Sequence, residues 1–184
     1  MKRFLVTLFV LLSVTAVCQA RRTPGKSDIQ AMVNDMRAEA RLAGISSDKE
    51  SVSLPGIKVV SDANVEMVSI GGIAMKLGKS ISGLNREMPA VRGISSMLVV
   101  SYEDCPVHIK DKFNAKMSNA LRGCELLMEA KDNGEKMSIY GNTARDGERV
   151  NDIIMFVPQE GALICFFGSI DSKDLADLVE STTK

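Results

Sequence analysis

From residue 125 to residue 169 the sequence reads as four β-strands joined by turns, and no other stretch restricts the fold as strongly. Leu126, Met128 and Ala130 alternate with Leu127, Glu129 and Lys131, the period of two expected of a half-buried strand. Asp132, Asn133 and Gly134 supply a hairpin turn, because Asn and Gly accept positive φ. Met137 and Ile139 then point to the core, with Lys136, Ser138 and Tyr140 outward. The polar connection from Gly141 to Arg149 belongs at an exposed sheet end. Ile153 to Val157 and Ala162 to Phe167 are apolar on both faces, as central or doubly covered strands are, and Pro158 with Gly161 turns one into the other. This spacing places Ile154, Phe156, Ile164 and Phe166 in one cluster beneath the helices. Ile170, Asp171, Asp174 and Leu175 open a final helix capped by Asp171.

Upstream, Ser27 and Gln30 form a capping-box pattern ahead of Ile29, Met32, Val33, Met36 and Ala40, which recur at helical spacing until Gly44. Residues 45 to 56 read as a loop and Ile57 to Val60 as a short strand. Asn64 to Ile70 alternates like a strand and runs into a helix over Ile73 to Ser80. Gly71 and Gly72 at that junction lack the rest of a phosphate-binding fingerprint. After a mixed connection from Ile81 to Gly93, Met97 to Tyr102 is a strand. Asp104 and Pro106 then open a helix with Ile109, Phe113, Met117, Leu121 and Cys124 along one face, ended by Gly123. The order predicts an α+β fold, a mainly antiparallel β-sheet with a C-terminal four-strand meander and helices packed on one face.

Met1 to Ala20 has the form of a secretory signal peptide: Lys2 and Arg3, an apolar run from Phe4 to Val17, and small Cys18 and Ala20 before the expected cleavage. Val17 is larger than the residue that normally precedes a lipid-modified cysteine. Membrane association through Cys18 is therefore not expected, and the chain reads as exported, periplasmic or extracellular. The expected division is 1–20 signal peptide, 21–27 flexible leader and 28–184 a single domain. Without Lys2 and Arg3, 21 basic side chains face 23 acidic ones, and nothing resembles the clustered positive charge of a nucleic-acid binder. The absence of Trp, with only two Tyr, argues against sites for sugars and aromatic ligands.

Four segments, NVEMVSIGGIAMKLG (64 to 78), ISSMLVVSYE (94 to 103), CELLMEAKDNGEKMSIYG (124 to 141) and NDIIMFVPQEGALICFFGSIDSKDLADLV (151 to 179), resemble the domain of unknown function 4252 family. The resemblance spans roughly residues 28 to 181. It implies a secreted or lipid-anchored protein of Bacteroides-type bacteria, and it brings no catalytic or binding residues to carry over.

Cys105 and His108 are the sharpest candidates for chemistry. Cys105 falls at a predicted helix N-terminus, where the dipole lowers a thiol pKa, and His108 would share its face as a base. A third, orienting group is not identifiable, and the two do not make up the four ligands of a structural zinc site. No cofactor is expected. A Cys105–Cys124 disulfide is excluded by the helix, whose nineteen-residue span of about 30 Å far exceeds the roughly 7 Å limit for bridged Cα atoms. Cys165 reads as a core thiol, with pairing to another cysteine left open. Arg145, Asp146, Glu148 and Arg149 form a candidate interaction loop. The leading expectation is thus a non-catalytic envelope module that binds a protein or cell-surface component. The alternative is a thiol-dependent enzyme or redox protein using Cys105 with His108.

Overall fold

The computed structural model describes residues 21–45, 50–81, 92–132 and 135–174. Its elements are α1 (Lys26–Leu42), β1 (Glu50–Leu54), β2 (Ile57–Asp62), β3 (Val65–Ile70), α2 (Gly72–Ile81), β4 (Ile94–Ser101), α3 (Val107–Leu121), β5 (Glu125–Asp132), β6 (Glu135–Thr143), β7 (Arg149–Val157) and β8 (Ala162–Asp171). All eight strands form one antiparallel sheet in the order β1-β2-β3-β4-β8-β7-β6-β5. The α+β class and the C-terminal meander are as the residue pattern predicts.

The order holds an internal repeat. A helix followed by a four-strand meander occurs twice, α1 with β1–β4 and α3 with β5–β8, with α2 inserted before β4. The last strands of the two halves pair antiparallel at the centre of the sheet, Val99 opposite Ile164. Such pairing relates the halves by an approximate two-fold axis through the sheet, which keeps α1 and α3 on one face. There Lys116 Nζ lies 2.8 Å from Asp35 Oδ2 and Lys112 Nζ 2.7 Å from Glu39 Oε1, tying the two helices together.

Beneath these helices, Ile29, Val33, Met36 and Ala40 of α1 and Ile109, Phe113, Met117 and Leu121 of α3 meet Val60, Met67, Leu98, Val100, Ile154, Phe156, Leu163, Cys165 and Phe167 of the sheet. A second, smaller cluster of Ile94, Ile139, Val150, Ile153 and Ile170 occupies the other face, where Met75 of α2 joins Leu127, Met137, Met155 and Phe166.

Several local expectations are corrected. The first helix begins one residue before Ser27. Gly25 is its cap, its amide donating to Asp28 Oδ2 at 3.0 Å, so Asp28 does the work assigned to Gln30. The far end is as read: Gly44, at φ +80°, closes a Schellman motif in which Ile45 N donates to Ala40 O and Gly44 N to Arg41 O. Residues 50–54, where the sequence pattern predicts a loop, are edge strand β1, exposed along its whole length, which is why its pattern carries no apolar alternation. Cys124 lies beyond α3, beside Arg21, not on the helix.

The faces of the meander also differ from the reading. Ile154 pairs with Cys165 and Phe156 with Leu163, so Ile154 and Phe156 do lie under the helices, but with Leu163, Cys165 and Phe167. Ile164 and Phe166 take the opposite face. Ser138 and Tyr140 are not outward either, since Ser138 is buried and Tyr140 packs against the larger cluster. Asn133, Gly134 and Leu175 lie outside the described residues, as does all of 1–20.

Ahead of α1, Arg21 and Thr23 are hydrogen-bonded to the rest of the fold. Arg21 N donates to Gly123 O at 2.6 Å and Thr23 N to Asn142 Oδ1 at 3.0 Å, while Asn142 Nδ2 donates to Thr23 Oγ1 at 2.7 Å. Thr23 Oγ1 in turn donates to Asp152 O at 3.2 Å.

Candidate functional site

The Cys105 and His108 pair does not assemble. Cys105 sits before α3, buried, with Sγ 3.4 Å from Asn64 O and 3.8 Å from Ala63 O at the β2–β3 turn. Asn64 Nδ2 reinforces that junction by donating to Asp104 O at 3.0 Å. Burial pushes the Cys105 thiol above its ordinary pKa, with nearby Lys110 opposing and Asp104 adding to the shift. A low-pKa nucleophile is the reverse of this. His108 is exposed, and among the described residues no hydrogen bond joins it to Cys105. Cys105, Cys124 and Cys165 are all free thiols. Among the described residues no group of three or more His, Cys, Asp or Glu is placed to hold a metal ion.

The loop between β6 and β7 is shorter than the predicted Gly141 to Arg149 connection, because Thr143 and Arg149 already belong to strands. It brings Arg145, Asp146 and Glu148 together at the surface, where Asp146 Oδ1 accepts from Glu148 N at 3.0 Å. Arg149 Nε lies 3.6 Å from Asp171 Oδ1, both half exposed, and Ser172 N donates to Glu148 O at 2.8 Å. The loop is therefore pinned to the end of β8, and its charges are solvated.

A more constructed site lies elsewhere, between α1 and the outer half of the sheet. The apolar stripe Ile29, Val33, Met36, Ala40 fixes the rotation of α1 against the core. One residue further along each turn runs a polar stripe of the same 4-3-4 spacing, Gln30, Asn34, Arg37 and Arg41. It looks across a cavity of about 400 Å³ at Ser51, Lys58, Val60, Asp62 and Met67. The strand register explains that wall: Ser51, Val60 and Met67 are cross-strand neighbours, and Lys58, Val60 and Asp62 alternate along one face of β2.

Two arginines behave differently there. Arg41 Nε donates to Asp62 Oδ1 at 3.2 Å and its Nη2 to Asp62 Oδ2, a two-point pair that raises the Arg41 pKa. Arg37 is only 5% exposed. Its Nη2 donates to Val60 O at 3.0 Å and its Nη1 to Asn34 Oδ1 at 3.5 Å, both neutral acceptors, and its shielded Nε has no acceptor. Burial lowers the Arg37 pKa, Asp62 acting against that and Arg41 with it. A guanidinium so placed is expensive for stability.

None of these residues stood out in the sequence. The usable signal was the polar stripe shadowing the apolar one, with two arginines where a surface helix commonly mixes signs of charge.

Comparison with known proteins gives one finding: the family model described as Domain of unknown function (DUF4252) matches residues 60–178. That is shorter at both ends than the resemblance seen in the sequence, and it leaves out α1, β1 and Lys58. No curated protein and no solved structure matches the chain.

Proposed function

The chain belongs to the DUF4252 family, and from that premise we propose that it is an exported, non-catalytic module of the bacterial envelope that binds its ligand in the cleft between α1 and β1–β3. The observation carrying this reading is Arg37, a buried cation lining a cavity of about 400 Å³, within the size range of small-ligand sites. A protein does not gain stability from such a group, so a binding role accounts for its place. Export is supported by the pattern of residues 1–20, and a non-catalytic role by the buried, acceptor-facing Cys105.

A photo-crosslinking side chain placed at Ser51, on the cleft wall, and separately at Arg145, on the β6–β7 loop, tests it in envelope extract. Adducts are expected from position 51 and not from position 145. Adducts at 145 with none at 51 would move the binding surface to the loop.

A further inference from the structure

Resting on that cleft as the binding site, we infer that its ligand is a small polar molecule carrying one oxyanion, a phosphate or carboxylate group, received between Arg37 and Lys58. Charge on the described lining is unbalanced, since among the described residues Arg37, Arg41 and Lys58 face Asp62 alone. Asp62 is committed to Arg41 through both carboxylate oxygens. Arg37 has no carboxylate within ion-pair distance among the described residues, and Lys58 makes no ion pair there either. Among the described residues, Arg37 therefore has only the Asp62 carboxylate that Arg41 already holds, and Lys58 has no ion-pair partner.

An oxyanion supplies what this arrangement lacks. Guanidinium and ammonium groups bind carboxylate and phosphate through charge-assisted hydrogen bonds, which gain strength where water is partly excluded. The cavity is larger than an oxyanion alone needs, so the remainder of the ligand has room against Gln30, Asn34 and Ser51, which offer amide and hydroxyl groups. Val60 and Met67 give a small apolar floor. Among the described residues no aromatic side chain lines the cavity, so recognition there does not rest on stacking.

The test is a titration of the mature chain with inorganic phosphate and, separately, acetate, followed by backbone amide shifts in NMR. Sodium chloride at matched ionic strength is the control. Saturable shifts at Asn34, Arg37, Ser51 and Lys58 are expected with at least one oxyanion, with a dissociation constant on the order of millimolar for so small a probe. Which of the two binds tells phosphate ligands from carboxylate ones. Lys58→Gln, an exposed change that leaves the core untouched, should weaken binding severalfold, and Arg37→Gln should weaken it about tenfold or more.

Shifts no larger than those with chloride, or undiminished binding in both variants, would overturn the inference. Crosslinking from Ser51 in that case would keep the cleft as a binding site for a neutral ligand. Failure of both experiments would remove the cleft reading as well.

Discussion

The hydroxyl of Tyr102 donates a 2.7 Å hydrogen bond to Oδ1 of Asn114, which joins the end of β4 to the middle of α3. Tyr102 is fully buried and meets Phe113 edge to face, ring centroids 4.8 Å apart. Asn114 Nδ2 continues the chain of bonds to Pro158 O at 3.2 Å, in the β7–β8 turn. The same turn presents Gly161 O to Tyr102 N at 2.8 Å. Gly161 has φ +67°, and a Cβ there would lie 2.8 Å from Glu103 N, so the turn closes onto β4 only with glycine.

Tyr102→Phe keeps the ring and leaves Asn114 Oδ1 without its donor. Chemical denaturation should show a loss of about 1–3 kcal/mol, the cost of an unmet, partly buried acceptor. In a double-mutant cycle with Asn114→Ala, a coupling near zero would mean that the bond does not anchor the turn.

Phe156→Ala opens a cavity in the helix-covered cluster and should cost about 3–5 kcal/mol. Tyr140→Ala, on the same face and partly buried, should cost a measurable fraction of that. Ile164→Ala, itself only half-buried on the opposite face, should cost less than Phe156→Ala. Denaturant midpoints of the three variants read the register directly, and equal losses for Phe156 and Ile164 would contradict the assigned faces.

How far the sequence could be read depended on where polar residues break an apolar run. Strand positions were legible in β7 and β8, but Ala162 to Phe167 has no polar residue to mark a face, and the assignment slipped by one. In β7 the bulge at Asp152, φ +52°, also puts Val150 and Ile153 on one face, which no strict period of two reveals. β1 was missed because an exposed edge strand owes its form to pairing with β2 rather than to burial. The cleft was missed for a related reason: its residues come from α1, β1, β2 and β3, and only the register makes neighbours of Ser51, Val60 and Met67.

The docked N-terminal segment depends on Thr23, whose hydroxyl accepts from Asn142 and donates to Asp152 O. Thr23→Ala loses both and should destabilise by about 1–3 kcal/mol, while Thr23→Ser should restore most of it. Thermal or denaturant melts decide this, and a neutral alanine variant would mean that the segment does not hold its place in solution.

Cys165 gives a dependence on alkaline pH. It is fully buried, and burial pushes its thiol up to about 12 from an ordinary value of 9.0. Between those values the unfolded chain releases a proton that the folded chain keeps, so stability from this group is complete below pH 9 and falls as pH rises toward 12. The slope from one such proton is about 1.4 kcal/mol per pH unit. Raised thiols at Cys105 and Cys124 act in the same direction. Cys165→Ala should therefore start from a lower stability, because of its cavity, but lose less of it between pH 9.5 and 11.5 by about that slope. Parallel curves for the two proteins would show that the thiol is not shielded.

The final prediction concerns Asp62, the carboxylate in the wall of the cleft. It is 3% exposed and holds Arg41 at two points, while its charge also favours ionised Arg37 across the cavity. Asp62→Asn preserves shape and removes that charge, leaving Arg37, Arg41 and Lys58 with no carboxylate among the described lining residues. Because Arg41 is half exposed and can turn to water, the loss should be about 1–3 kcal/mol, below that of breaking a wholly buried pair. The variant should also respond to anions more strongly than wild type, since an oxyanion in the cleft replaces part of the missing charge and stabilises the folded state by mass action. Denaturant melts with phosphate, against chloride at equal ionic strength, measure both effects. If Asp62→Asn were destabilised but gained no more from phosphate than wild type does, the cations of the cleft would not be acting together on a bound anion.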